Sequence, residues 1–378
     1  MKKIVIIPDS FKGTMSSRVI GSIIAEEASS CWTDVQTVRF EVADGGEGSV
    51  DAFLSALPGQ KIKASVQGPY GETIDSFYGL TGDTAIVEMA AAAGLPLVGE
   101  NRQAGKTSTY GVGQLMHDAL EHGIRRMILA LGGSATNDGG TGAAAALGVR
   151  FYDRCGRCFI PVGDTLSQID RIDMSGLDAR LANAEIIAMC DIDNPLCGED
   201  GAAAVFGPQK GASPEQVISL DAGLSHLADI IQRDIGVDVR HIGGAGAAGG
   251  MGAGVMAFFG ATLQRGIDVV LDTVCFDDAL ENASLVITGE GRIDGQSAHG
   301  KVIAGIARRA AHRHIPVLAV VGDIGEDAEK MYDIGVSSIF SINRVAIPYP
   351  EAKLRAQQDL RRTVRTVFQF AKLAKHIG

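Results

Sequence analysis

The chain has 378 residues, 46% of them hydrophobic, with a formal net charge of -11 and a pI near 5.2. That length and apolar content are enough for two cored domains and exclude a disordered chain. The acidic balance, with no basic run or basic-aromatic stripe, argues against a nucleic-acid partner. No apolar stretch approaches the roughly 18–20 residues of a membrane helix, so the expectation is a cytoplasmic protein with no membrane partner.

In chain order, residues 4–7 are a short apolar strand leading into Pro8-Asp9-Ser10-Phe11-Lys12-Gly13. Residues 16–28 have helical periodicity, with Ser16 and Ser17 as natural N-caps. A second strand, 35–42, runs into Ala43-Asp44-Gly45-Gly46-Glu47-Gly48 and a helix at 50–57. This β-α-β-α opening is that of a doubly wound, mostly parallel sheet, in which ligands gather at the carboxyl ends of the strands. From residue 61 the rhythm changes. Short strands at 61–66, 76–80 and 85–88, joined by Gly68-Pro69-Tyr70-Gly71 and Gly82-Asp83, predict an antiparallel meander.

A helix at 112–122 and a buried strand at 127–131 come next, and the strand empties into Gly132-Gly133-Ser134-Ala135-Thr136-Asn137-Asp138-Gly139-Gly140 before an Ala-rich helix. Small residues between a strand and a helix N-terminus are expected to leave backbone N–H groups pointing outward, which is an anion site. The plainer alternative is a tight turn capped by Asn137 or Asp138. Strands follow near 149–152 and 186–189, the latter ending in Cys190-Asp191, with Asn194-Pro195-Leu196 beyond. Ser213-Pro214 opens a long amphipathic helix to about 235. A second glycine-dense loop, 243–254, leads to a helix at 255–263. The α/β rhythm then returns, with strands at 285–288, 317–321 and 338–342, a helix at 302–312 and a terminal helix from 353.

The organisation expected is therefore discontinuous. Residues 1–60 plus 265–378 form a Rossmann- or flavodoxin-like domain, and 61–264 an inserted mixed α/β domain.

Several motifs are decoys. Gly244-Ala245-Gly246-Ala247-Ala248-Gly249 fits G-x-G-x-x-G without a good strand before it. Gly295 to Gly300-Lys301-Val302 has P-loop spacing, but Val302 stands where a magnesium-holding hydroxyl is needed, leaving a phosphate role for Lys301 only. Of the six cysteines, Cys155 and Cys158 form one C-x-x-C pair with no second pair at zinc spacing, Cys190 and Cys197 being the nearest candidates. Reduced, partly buried thiols are expected. What remains is a set of carboxylates in small-residue loops, Asp9, Asp44, Asp138, Asp191, Glu290 and Asp294, together with Lys12, Lys210 and Lys301. Anion holders, oxygen ligands for a metal and a weak base are what phosphoryl transfer asks for.

Those loops, with Phe206-Gly207-Pro208-Gln209-Lys210-Gly211 and Thr288-Gly289-Glu290-Gly291, resemble the bacterial class I glycerate kinases over essentially the whole chain. One departure is Ser49 after the Asp-Gly-Gly-Glu-Gly run, where threonine is usual; the hydroxyl is kept. The resemblance implies ATP-dependent, magnesium-requiring phosphorylation of D-glycerate in a cleft between two α/β domains, with 2-phosphoglycerate favoured over 3-phosphoglycerate. It places the activity in glyoxylate or glucarate breakdown. A kinase of another small hydroxy or sugar acid, or a non-catalytic small-acid binding protein, are the alternatives, and the chain is expected to be a monomer or homodimer.

The assignment that follows has Asp191 orienting or deprotonating the hydroxyl, with Lys12 and Lys210 neutralising substrate charge. Asp9, Ser10, Asn194 and Gln209 bind substrate. Gly132, Gly133, Ser134, Thr136, Asn137 and Lys301 bind the ATP phosphates, and Asp44, Glu290 and Asp294 hold metal.

Overall fold

The computed structural model describes residues 2–11, 13–42, 48–295, 297 and 302–374. Contacts divide the chain into two compact units, Met1–Asp44 with Ile267–Gly378, and Gly45–Gly266.

In the terminal unit five strands lie side by side in the order Val336–Ser341, Val317–Val321, Leu285–Gly289, Lys3–Pro8 and Gln36–Arg39, all neighbours parallel. Counted along the chain this is 2-1-3-4-5, the flavodoxin-like order, and its switch point falls between Lys3–Pro8 and Leu285–Gly289. Alternation sorts the side chains between two faces. Leu318 and Val320 join Ile4, Ile6 and Ile287 against the helices Ser17–Cys31 and Tyr349–Ala374. Ala319 and Val321 instead pack with Ile303 and Ala307 of the helix Val302–His312. Helices on both faces explain why the three central strands, Val317–Val321, Leu285–Gly289 and Lys3–Pro8, are largely apolar along their length rather than alternating.

Ser16 starts the first helix by accepting from Val19 N at 3.3 Å, while Ser17 turns its hydroxyl to Pro8 O at 2.6 Å. One charged group is buried where this helix meets the last one. Glu27, 2% exposed, accepts from Arg365 Nε at 2.8 Å and Arg361 Nη1 at 3.0 Å. The hydrogen bond from Arg365, then that from Arg361, hold its carboxyl below the usual range against the opposing cost of burial. A carboxyl whose folded pKa lies below its unfolded value of about 4.3 stabilises the fold above that value and loses the contribution as pH falls through the folded pKa. Glu27→Gln is expected to cost about 2–3 kcal/mol at neutral pH and progressively less as pH falls through the folded pKa of Glu27, read by urea unfolding at neutral and acid pH.

The middle unit has a mixed six-stranded sheet. Thr262–Gln264, Glu185–Met189, Arg126–Ala130 and Thr84–Glu88 are parallel neighbours, and Thr73–Thr81 and Gln60–Gln67 extend the sheet antiparallel. Thr81 pairs with Thr84 across the two-residue turn Gly82-Asp83, with Gly82 at φ 55°, as a tight hairpin turn requires. A three-stranded sheet of Arg150–Tyr152, Cys158–Phe159 and Arg171–Asp173 forms a separate layer. One core cluster takes alternate residues from a single face of the large sheet, among them Val87, Leu129 and Ala188, and joins them to Leu224, Leu227 and Phe258. The helix Pro214–Asp234 begins with a reciprocal cap, in which Gln216 N donates to Ser213 Oγ and Ser213 N donates to Gln216 Oε1.

Three local expectations change. The helix Ser49–Ala56 packs on the strands Thr73–Thr81 and Thr84–Glu88 of the middle unit, so the contacts divide the chain at residue 44 rather than 60. The helix expected at 255–263 is Ala247–Phe259; Gly260 ends it at φ 65°, and Leu263 belongs to the edge strand Thr262–Gln264. Its second to fourth residues, Ala248, Gly249 and Gly250, all have positive φ. A Cβ on Gly249 would lie 2.0 Å from Thr136 O, so this glycine serves close packing against the 134–140 loop and not dinucleotide binding. The cysteines are unpaired, and Cys155, Cys158 and Cys275 are exposed rather than partly buried.

Candidate active site

Four parallel strands of the middle sheet end in register. Glu88 pairs with Ala130, Ala130 with Met189, and Met189 with Gln264. The residues just beyond this row are therefore set side by side along the carboxyl edge: Met89, the Leu131–Gly133 turn, Cys190-Asp191, and Arg265-Gly266. This edge is where a parallel sheet presents ligand-binding groups.

Asp191 stands two residues past its strand, with an exposed carboxylate whose Oδ1 accepts from Gly266 N at 2.8 Å. The bond fixes one oxygen at the start of the helix Gly266–Thr273. Glu88 was not among the expected site residues. It is 2% exposed and accepts from Val50 N at 2.6 Å and Gly48 N at 3.3 Å, capping the helix Ser49–Ala56. Burial raises its pKa, opposed by those N–H groups and by the Lys61 ammonium and reinforced by Asp51. Its signal in the sequence was a carboxylate closing an otherwise apolar strand.

The 132–140 loop does not offer a row of free N–H groups. Gly132 is half-buried and Gly133 exposed, but Ser134, Ala135, Thr136, Asn137 and Asp138 are buried. Ala135 N donates to Ala93 O and Gly139 N to Gly249 O. Gly140 N and Gly142 N both donate to the Asp138 carboxylate, which also takes Thr109 N at 2.7 Å and Thr109 Oγ1 at 2.8 Å. The start of the six-residue helix Thr141–Ala146 is thus occupied by the chain's own carboxylate, so the expected anion site at that helix end is corrected to an internal cap. Burial pushes the Asp138 pKa up, against the lowering by the Thr109, Gly140 and Gly142 donors. Three buried atoms of the loop, Thr136 Oγ1 and Asn137 Nδ2 and Oδ1, have no hydrogen-bond partner among the described residues.

Lys210 lies behind this loop. It is 2% exposed, and its ammonium donates to Thr136 O at 2.6 Å and Ser134 Oγ at 3.0 Å. Desolvation brings its pKa down to about 7, opposed by the charge of Asp138. Gln209 is exposed, and its carbonyl accepts from Arg102 Nη1 at 2.8 Å. Asn194 spends its amide on Asp200 O at 2.9 Å, and its carbonyl receives Gly244 N and Gly246 N, which ties the two glycine-bearing loops together.

In the terminal unit the switch point carries Asp9 and Ser10 on one strand end and Glu290 on the other. Asp9 N donates to Gly289 O at 2.8 Å, locking the two ends together, and Ser10 N donates to Asp9 Oδ1 at 2.6 Å. A shallow cavity of about 450 Å³ is lined by Ser10, Phe11, Gly13, Thr14, Met15 and Ser16. Glu290, 6% exposed, accepts from Ser297 Oγ at 2.6 Å, and Ser297 Oγ in turn accepts from Asp294 N at 3.3 Å. Glu290 and Asp294 are thereby held in one network. Among the described residues no group of three or more His, Cys, Asp or Glu side chains is placed to hold a metal. Lys12, Asp44 and Lys301 lie outside the described residues.

The sequence model of the glycerate kinase family matches residues 4–372. The chain belongs to the glycerate kinase family. It is 44% identical to a glycerate kinase of Bacillus subtilis (strain 168), covering 99% of this chain and 98% of the other. It is 43% identical to a glycerate 2-kinase of Escherichia coli (strain K12), covering 97% of each. A crystal structure of a protein described as a glycerate kinase 2, from Salmonella typhimurium LT2, superposes with a TM-score of 0.89 at 42% identity over 99% of both chains. The chain is accordingly a kinase acting on a small-molecule substrate, and no described helix is long and apolar enough to cross a membrane.

Proposed function

We propose that this kinase transfers the γ-phosphoryl group of ATP to D-glycerate, with magnesium, to give 2-phosphoglycerate. The observation that carries the reading is the placement of Asp191: an exposed carboxylate, held by Gly266 N–H, beside the Leu131–Gly133 turn at one sheet edge. A carboxylate so held orients the attacking hydroxyl and accepts its proton while the phosphoryl group leaves ADP. The preference for the 2-hydroxyl comes from the name of the Escherichia coli relative, a glycerate 2-kinase.

The partly accessible Gly132 and Gly133 present backbone to the phosphates, with Ser134, Thr136 and Asn137 behind them; the unpartnered polar atoms of Thr136 and Asn137 support a polar ligand or water there. Lys12 and Lys301 supply positive charge to the phosphates and substrate carboxylate, and Asp9, Ser10, Asn194 and Gln209 complete the substrate contacts. Magnesium takes oxygen ligands, commonly one or two carboxylates with the rest from phosphates and water. Glu290 and Asp294, joined through Ser297, suit that donor set, with Asp44 as a third candidate. Bound magnesium would neutralise charge developing on the phosphates. We place the enzyme in the cytoplasm, in the breakdown of glyoxylate or glucarate.

Phosphorus NMR of a reaction with ATP, magnesium and D-glycerate tests substrate and regiochemistry together. The 2-phosphoglycerate resonance is expected. A 3-phosphoglycerate signal would overturn the regiochemistry, and ATP left unchanged would overturn the activity.

A further inference from the structure

The buried ammonium of Lys210 sits too deep to be read as a simple substrate contact. It is carried on the single turn Pro208–Lys210, which is locked in place on both sides. Gly211 follows at φ 92°, and a Cβ there would lie 2.4 Å from Arg102 O, while Arg102 Nη1 holds Gln209 O. The lysine therefore has no slack along the backbone with which to swing outward. Its two acceptors, Ser134 Oγ and Thr136 O, are 76 and 74 residues away in sequence and flank Ala135 in the loop. Around Ala135 that loop is also pinned by neutral bonds, among them Leu95 N to Gly133 O, Ala135 N to Ala93 O, and Thr107 Oγ1 to Ala135 O. Lys210 adds a charged tie on the Ser134–Thr136 side, as the Asp138 carboxylate does on the Thr109 side, and charge-assisted bonds are the stronger kind.

We propose that Lys210 is a positioning residue, acting through Ser134 and Thr136 to hold the Gly132–Gly133 turn at the sheet edge where phosphate is received, without itself touching substrate. The proposal rests on the phosphoryl-transfer reading above and deepens it. It replaces the simpler assignment of Lys210 to charge neutralisation of the bound substrate. The tie needs the protonated ammonium. The charged group that acts on it is Asp138, from the loop; the Arg102 guanidinium, on the neighbouring segment, is spent on Gln209 O and Gly99 O. With its pKa lowered to about 7, Lys210 loses its proton as pH rises through neutrality, and the loop then loses its charged tie.

The test is a double-mutant cycle on kcat/KM for ATP, measured between pH 6 and 9. Lys210→Met is expected to lower it by about tenfold or more and to abolish any fall in rate above pH 7; Ser134→Ala should cost about threefold, and the double variant no more than Lys210→Met alone. Ser134→Ala should also move the falling limb to lower pH, because the ammonium has lost an acceptor. Independent, multiplying losses would make Lys210 a direct substrate ligand. A falling limb retained in Lys210→Met would remove its titration from the rate. Either result overturns the proposal. Should Lys210→Met not fold, the Ser134→Ala limb decides alone: an unshifted limb overturns the idea. Because every readout is relative to wild-type turnover, failure here is distinct from wild type showing no activity on glycerate.

Discussion

Asp191→Asn is expected to lower kcat by about 10²–10⁴-fold while leaving ATP affinity within about twofold of wild type. The substitution is chosen because it separates chemistry from architecture. An asparagine keeps an oxygen in the place of Oδ1, so the 2.8 Å bond from Gly266 N can persist and the helix Gly266–Thr273 keeps its cap. What disappears is the negative charge and the capacity to take a proton. Asp191→Ala removes both, and should add about 1 kcal/mol of destabilisation from the lost cap to the same loss of rate. Single-turnover kinetics with isothermal titration of ATP would show the split. Near-normal turnover in Asp191→Asn would remove the carboxylate from the reaction and leave it a structural role, of which the bond from Gly266 N is part.

The elements whose signals are local were legible before the structure. The helix Val302–His312 and the strand Val317–Val321 fall where their periodicity and apolar run place them. Legibility stopped where partners distant in sequence decide the outcome. Nothing near Gly132–Gly140 announces that Thr109 supplies two donors to Asp138, or that Gly249 closes over Thr136, so a loop rich in small residues read as an open cradle and is mostly interior. The same cause hid Glu88, whose partners are Gly48 and Val50. It also hid the true position of Lys210, a charged residue that composition alone would put on the surface. The site's carboxylates were identifiable by type and setting; which of them face outward and which satisfy backbone required the contacts.

That distinction makes the opposite prediction for Asp138. Asp138→Ala should cost about 3–5 kcal/mol of stability, because four buried donor groups lose their acceptor at once: Thr109 N, Thr109 Oγ1, Gly140 N and Gly142 N. Each orphaned buried donor costs about 1–3 kcal/mol, and water entering the vacated space recovers part of the sum. The Lys210 ammonium also loses the charge that opposes its desolvation. A fall of about 10 °C in the melting midpoint is the corresponding thermal shift for a unit of this size. Asp138→Asn should fall between the alanine variant and wild type, since one oxygen can still accept while its amide nitrogen presents donors to donors. An alanine variant that melts with wild type would mean that the loop is held without the bonds to the Asp138 carboxylate. The two aspartates then stand as opposites drawn from the same kind of glycine-bearing loop. Asp191 should lose turnover and keep the fold, whereas Asp138 should lose the fold first, because its negative charge already has its donors inside the protein.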